Sequence, residues 1–276
     1  MMRIARVVTI GQYLNLGSSV HRLDPRIKIV ALIALIVGIA LSSSFIALGA
    51  LALFGLFVLA LSRVSPGFIA RTLRFAVFIL LFFYVLQVLL YQPATAHPHV
   101  LWRWWILTVT REGLIFNALV NTRALLLFYF VNMLMLTTSM VDLTDGAESL
   151  LSPLQLIGIP VQETTLVMVV ALKFVPIFFS ELERLIKARA ARGVAIDTGN
   201  VARRALNTAP VLIPLILGGL RRAEALTVAL EARGYNGGRG RTKLRKLQFG
   251  PRDALAACAL GLALAAAVYL NGRSQF

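Results

Sequence analysis

At 276 residues, with 58% hydrophobic residues and a mean hydropathy of +0.80, the chain is too apolar for an ordinary water-soluble domain. Charged residues make up only 14%, yet 28 Lys and Arg against 12 Asp and Glu leave a net charge of +16. Sparse charge with a positive bias excludes a basic nucleic-acid-binding domain and points to a polytopic membrane protein with basic cytoplasmic loops.

Residues 1–28 are mixed and basic and lack the pattern of a cleavable signal peptide. Residues 29–61 carry no charge and are too long for one crossing at about 20 residues each. Ser42-Ser43-Ser44 breaks the run and predicts helices near 27–42 and 45–62, the first with a small-residue stripe of Ala34, Gly38 and Ser42 for close packing. A Ser-Pro-Gly turn is expected at 65–67, flanked by Arg63, Arg71 and Arg74, with a third span over 75–91. Residues 92–111 read as a polar-aromatic loop, its Trp102, Trp104 and Trp105 suited to a membrane interface. His97 and His99 stand there without further metal ligands.

A fourth span is predicted over 113–139, interrupted by Asn117, Asn121, Arg123 and Asn132; Arg123 must face protein or reach an interface. From 142 to 158 the pattern is amphipathic, with Leu143, Ala147, Leu150, Leu151 and Leu154 on one face and Pro153 limiting regularity. Two long helices follow, about 161–192 and 201–233, each apolar early and charged late, with Gly193 and Gly234 placed as C-terminal caps. A basic, glycine-rich stretch leads to a last span over 254–270 with a second small-residue stripe, Ala257, Gly261 and Ala265. The single cysteine, Cys258, lies in that span, which rules out an intramolecular disulfide.

Between positions 181 and 252 there are 15 Lys and Arg against 5 Asp and Glu, which assigns this region to the cytoplasm and, counting spans backward, the N-terminus with it. No phosphate-binding loop, zinc-protease motif or nucleophile elbow occurs. Glu181 and Glu183 point to different faces of a helix and are expected to solvate it or to pair with nearby Arg184 and Lys187, rather than act as an acid–base couple. The most informative pattern is a repeat. Ala191-Arg192-Gly193 and Ala232-Arg233-Gly234 each close a unit made of a proline-containing apolar run and a charged helix. One arginine presented twice on similar helix ends fits a two-fold or pseudo-two-fold partner.

These residues, taken in order, resemble the transmembrane coupling (T) component of energy-coupling factor transporters, the EcfT or CbiQ family. The similar motifs are Asp24-Pro25-Arg26-Ile27-Lys28, Thr137-Thr138-Ser139, Leu151-Ser152-Pro153-Leu154, and Lys173-Phe174-Val175-Pro176 followed by Glu181; the two Ala-Arg-Gly copies stand 41 residues apart. The resemblance implies an all-α, L-shaped subunit with about five transmembrane helices, divided into N-terminal membrane helices (1–140), a cytoplasmic coupling domain with two long helices (141–252) and a C-terminal transmembrane helix (253–276). It implies a non-catalytic role in the cell membrane: two ATPase subunits, of the EcfA and EcfA' type, would bind ATP and Mg. Ala191, Arg192, Gly193, Ala232, Arg233 and Gly234 would dock them. Asp24, Pro25, Arg26, Lys28, Pro176 and Glu181 carry over as motif residues of less defined role. No cofactor or metal is expected on this chain.

A membrane-embedded S component would bind the micronutrient, and the apolar first half of the first long helix, where Lys173 is the one charge between 166 and 179, is expected to meet it at the interface. Pro176 and Pro214 would relax the two helices locally. Vitamin uptake is the expectation; a dedicated module for one vitamin, or for cobalt or nickel, stays open. The competing class, a self-contained secondary transporter, needs a polar midplane site. For that the spans offer little beyond Asn117, Asn121, Arg123 and Asn132.

Overall fold

The structure is a computed structural model that describes residues 16–90, 100–104, 107–192, 201–237 and 249–273. Among them are eight α-helices, one 3₁₀ turn and one small hairpin. In chain order these are α1 Pro25–Leu41, α2 Phe45–Ser62, α3 Pro66–Leu90, β1 Val100–Trp104, β2 Leu107–Thr110, α4 Arg111–Thr137, α5 Met140–Leu151, the 3₁₀ turn Ser152–Ile157, α6 Val161–Ala191, α7 Val201–Ala232 and α8 Pro251–Arg273. The class is all-α, as the sequence predicts. Gly193 and the histidines at 97 and 99 lie outside the described residues.

The described chain forms two compact units. One comprises residues 16–146 and 249–273, the other residues 147–192 and 201–237. In the first, α8 packs on α1 and α2, and α4 packs on α1, α2 and α3. Its core is built from Leu35, Ile39, Leu48, Leu51, Phe130, Met133 and Leu136, with Ala267 of α8 against them. The outward faces stay apolar: Phe75, Phe78 and Phe82 of α3 are all more than 60% exposed, a surface for lipid rather than water.

Three expectations are corrected. Pro66 opens α3 instead of breaking the chain, because proline suits the first helical position, and the carbonyl of Ser65 accepts from the N–H groups of Phe68 and Ile69. Arg71 and Arg74 therefore sit on a 25-residue helix; the turn is made at Arg63, in the left-handed region at φ 57°. Second, the loop at 92–111 contains an antiparallel hairpin, β1 with β2, pairing Trp102 with Val109 and Trp104 with Leu107. Alternating β-branched and aromatic residues favour strand over loop there. Third, Ala257, Gly261 and Ala265 face outward; α8 packs through Asp253, Leu260, Leu264 and Ala267 instead. The first stripe does pack, since Gly38 lies so close to Leu264 that a Cβ there would stand 2.5 Å from a leucine methyl.

Five helices are long and apolar enough to cross a membrane: α2, α3, α4, α6 and α8. The sequence expectation of five counted α1 in place of α6. At 17 residues α1 reaches about 25 Å, just under the usual span. α6 qualifies because its apolar first half runs unbroken into the charged half as one 31-residue helix.

Candidate functional site

α6 and α7 cross at positions that the repeat makes equivalent. The Arg222 Nη2 donates to Glu181 Oε2 at 2.9 Å, and both residues lie 41 positions apart. Gly219 faces the ring of Phe178, again 41 positions away, and a Cβ on Gly219 would stand 3.1 Å from that ring. The two Ala-Arg-Gly copies share this separation. Glu181 thus pairs across the crossing with Arg222, where the sequence offered solvent or a neighbour on its own helix, because Arg222 approaches from the other helix. Glu183 does pair with Lys187, at 2.6 Å and i,i+4 spacing.

The prolines have a visible effect. Pro214 has no N–H to give the carbonyl of Pro210, four residues back, and Arg189 Nη2 of α6 fills that vacancy at 3.2 Å. This contact brings the end of α6 beside α7 on the N-terminal side of the crossing, whereas Arg233 lies beyond the crossing. About 23 residues of α7 separate the two levels, on the order of 30 Å.

Both arginines stand at helix ends and are exposed. Arg192 is the C-cap of α6, its N–H bonded to the Arg189 carbonyl at 3.0 Å, and Ala191 is the last helical residue. Arg233 follows Ala232 at the end of α7. Gly234 takes φ +72°; its N–H bonds to the Glu231 carbonyl at 2.9 Å, and that of Tyr235 to the Leu230 carbonyl at 3.0 Å. That is a Schellman termination, which glycine makes cheap. Glycine thus stops the helix one residue past the arginine and leaves the guanidinium at the tip. Pro176 is exposed inside α6.

The Asp-Pro-Arg-x-Lys motif is assembled elsewhere, within the first unit. Asp24 N-caps α1, its carboxylate accepting from the Arg26 N–H at 2.9 Å, and Pro25 takes the first helical position. Lys28 is buried and spends its three donors on the carbonyls of His21 (3.2 Å) and Thr137 (3.1 Å) and on Thr138 Oγ1 (3.2 Å). The carboxylates of Asp142, Asp253 and Asp24 surround it electrostatically. Ser139 and Asp142 cap α5, with Ser139 Oγ 2.7 Å from Asp142 Oδ2 and accepting the Asp142 N–H at 3.1 Å. Asp253 Oδ1 accepts the Asp24 N–H at 2.9 Å, while its Oδ2 accepts the N–H of Gly250, just before α8. At the opposite end of α1, Arg123 of α4 donates to the Ser42 carbonyl from Nε (2.9 Å) and Nη2 (2.6 Å), so the intramembrane arginine faces protein backbone as expected.

Sequence reasoning named Asp24, Pro25, Arg26, Lys28 and Glu181 but missed Asp253, Arg222 and the Phe178–Gly219 contact. The last two were findable by adding the 41-residue repeat to Glu181 and Phe178. Asp253 shows only a local signal, an acidic residue in the first turn after Pro251.

Residues 17–244 match the model of the CbiQ family, described as a cobalt transport protein. The chain belongs to this family. It is 38% identical over 248 residues to the energy-coupling factor transporter transmembrane protein EcfT of Acidaminococcus fermentans, covering 90% of this chain and 91% of that one. It is 40% identical over 250 residues to the protein of the same name from Brevibacillus brevis, 91% and 93% of the two chains. The Bacillus subtilis EcfT is 36% identical over 244 residues, 88% and 91% covered. As a CbiQ-family member with five apolar helices of spanning length, the chain is a multi-pass membrane protein.

Proposed function

We propose that this CbiQ-family chain is the non-catalytic coupling subunit of an energy-coupling factor importer. Two ATPase subunits, which hold the ATP and Mg, dock on the ends of α6 and α7; their motion reaches a membrane-embedded S component that binds a vitamin. The observation that carries this reading is the crossing at equivalent positions. Glu181 and Arg222 meet, and Arg192 and Arg233 each follow their crossing residue by 11 positions, since 192 − 181 and 233 − 222 are equal. Two equal arms, about 16 Å each, present one chemical group twice, as a two-fold ATPase pair requires. The C-terminal helix dipole favours a cation at each tip, and the guanidinium fork can hold a carboxylate of the ATPase bidentately. The basic region from 181 to 252 supports a cytoplasmic side for the arms and a cytoplasmic N-terminus.

The test is co-purification. Arg192→Ala with Arg233→Ala is expected to lose both ATPases and substrate-stimulated ATP hydrolysis while the subunit still inserts. Truncating a charge-paired interface arginine costs about 2–5 kcal/mol, and single changes are milder because the second arm keeps its partner near. Normal ATPase capture by the double variant sinks this reading. The family description favours a second reading of the cargo, a dedicated cobalt or nickel module. Uptake of labelled cobalt against a labelled vitamin by this chain co-expressed with its ATPases and an S component separates the two.

A further inference from the structure

The chain passes from the membrane unit to the crossed-helix unit after Gly146 and returns at about 246. Both passages lie close in sequence to one buried polar knot. Asp142 is four residues before the exit, and Asp253 is seven after the return. Inside the membrane unit, the knot joins the starts of α1, α5 and α8 to the end of α4. Lys28 of α1 holds Thr137 and Thr138, one residue before Ser139 caps α5. Asp253 of α8 holds the N–H of Asp24, the cap of α1. Gly146 lets α5 lie directly on α1, where a Cβ would stand 2.9 Å from Pro25 Cβ and 3.2 Å from Ile29 Cδ1.

We infer that this knot is the joint through which displacement of the crossed helices is delivered to the membrane helices, with Lys28 as its positioning residue. The inference rests on the coupling function proposed above. A buried ammonium that spends all three donors on three backbone or hydroxyl oxygens is stiff and directional, and in a low-dielectric surround such bonds strengthen one another. Pulling on α5 or α8 therefore moves α1 and α4 as one body. An apolar joint of the same volume slides, because dispersion contacts lack direction. Two connections meeting one rigid knot also explain why a lysine is buried there at all, given its desolvation cost.

The experiment uses the full subunit with its ATPases and S component in proteoliposomes, Cys258 replaced by Ser. Spin labels go on Ile33 of α1 and Val228 of α7, both exposed. In the parent subunit the distance between them is expected to differ between the nucleotide-free and the ATP-vanadate-trapped states. Lys28→Met is expected to keep ATPase capture and ATP hydrolysis, yet lose that nucleotide-dependent change and broaden the distance distribution. Lys28→Arg, which keeps the donors, should restore it. Asp253→Ala, which cuts the bond from α8 to Asp24 together with the local one to Gly250, should reduce the change and serves where Lys28→Met fails to insert. A parent subunit that captures no ATPase refutes the coupling function itself. Captured ATPases, with Lys28→Met or Asp253→Ala following nucleotide as the parent does, refute the joint alone.

Discussion

A methyl group is too much at Gly55. A Cβ there would stand 2.7 Å from Tyr129 Cε1 and 3.3 Å from Phe130 Cζ, and the Tyr129 hydroxyl already donates to the Gly55 carbonyl at 2.6 Å. The ring can neither retreat without losing that bond nor advance, since Tyr129 and Phe130 are both buried. Gly55→Ala should therefore lower stability by about 1–3 kcal/mol, the usual cost of overpacking. Thermal unfolding in detergent measures this. Gly49→Ala, on the same helix with open space around it, should stay within about 0.5 kcal/mol of the parent. Helix propensity favours alanine at both sites, so equal changes for the two glycines would show that the Tyr129 contact does not set the cost. Nothing near Gly55 in sequence announces Tyr129, which approaches from 74 residues away.

The elements divide by how local their causes are. α6 and α7 were legible to within a residue or so, because each runs apolar then charged and ends at Ala-Arg-Gly. The start of α3 was not legible, since the same proline serves a turn or a first helical turn, and only the surrounding bonds decide. The hairpin was hidden by tryptophans that suit an interface equally well. The crossing of α6 and α7 depends on Glu181 and Arg222, whose side chains are 28% and 38% exposed. Such a pair is worth about 0.2–1 kcal/mol, weakened further by salt. Glu181→Arg and Arg222→Glu should each destabilise the crossing by bringing like charges together, and the two combined should recover most of the loss. A double-mutant cycle on unfolding at low and high salt reads this coupling, which should shrink with salt. A cycle showing strict additivity would leave the Phe178–Gly219 contact as the determinant of the crossing.

At the scale of the molecule, long-range bonds explain what charge alone made legible. The sequence places the basic clusters on one side by counting spans; the knot adds that α1, α5 and α8 all start, and α4 ends, at one common end of the membrane unit. Arg22, Arg26, Lys28 and Arg252 lie at that end, Arg63 follows at the α2–α3 turn, and Arg71 and Arg74 follow in the first half of α3. Arg111 and Arg273 stand at the other, where Asn271 of α8 accepts the Ser43 N–H at 2.8 Å. The imbalance supports the proposed orientation, with the knot on the cytoplasmic side; reversing it would put most of these cations on the other side. Ser65 and Ser43 are exposed at the two ends. With Cys258 replaced by Ser, a cysteine at 65 should resist a membrane-impermeant maleimide in intact cells and react in inverted vesicles, while one at 43 should do the opposite. The reverse pattern would set the arms outside the cell, away from ATP, and no ATPase could then dock on Arg192 and Arg233.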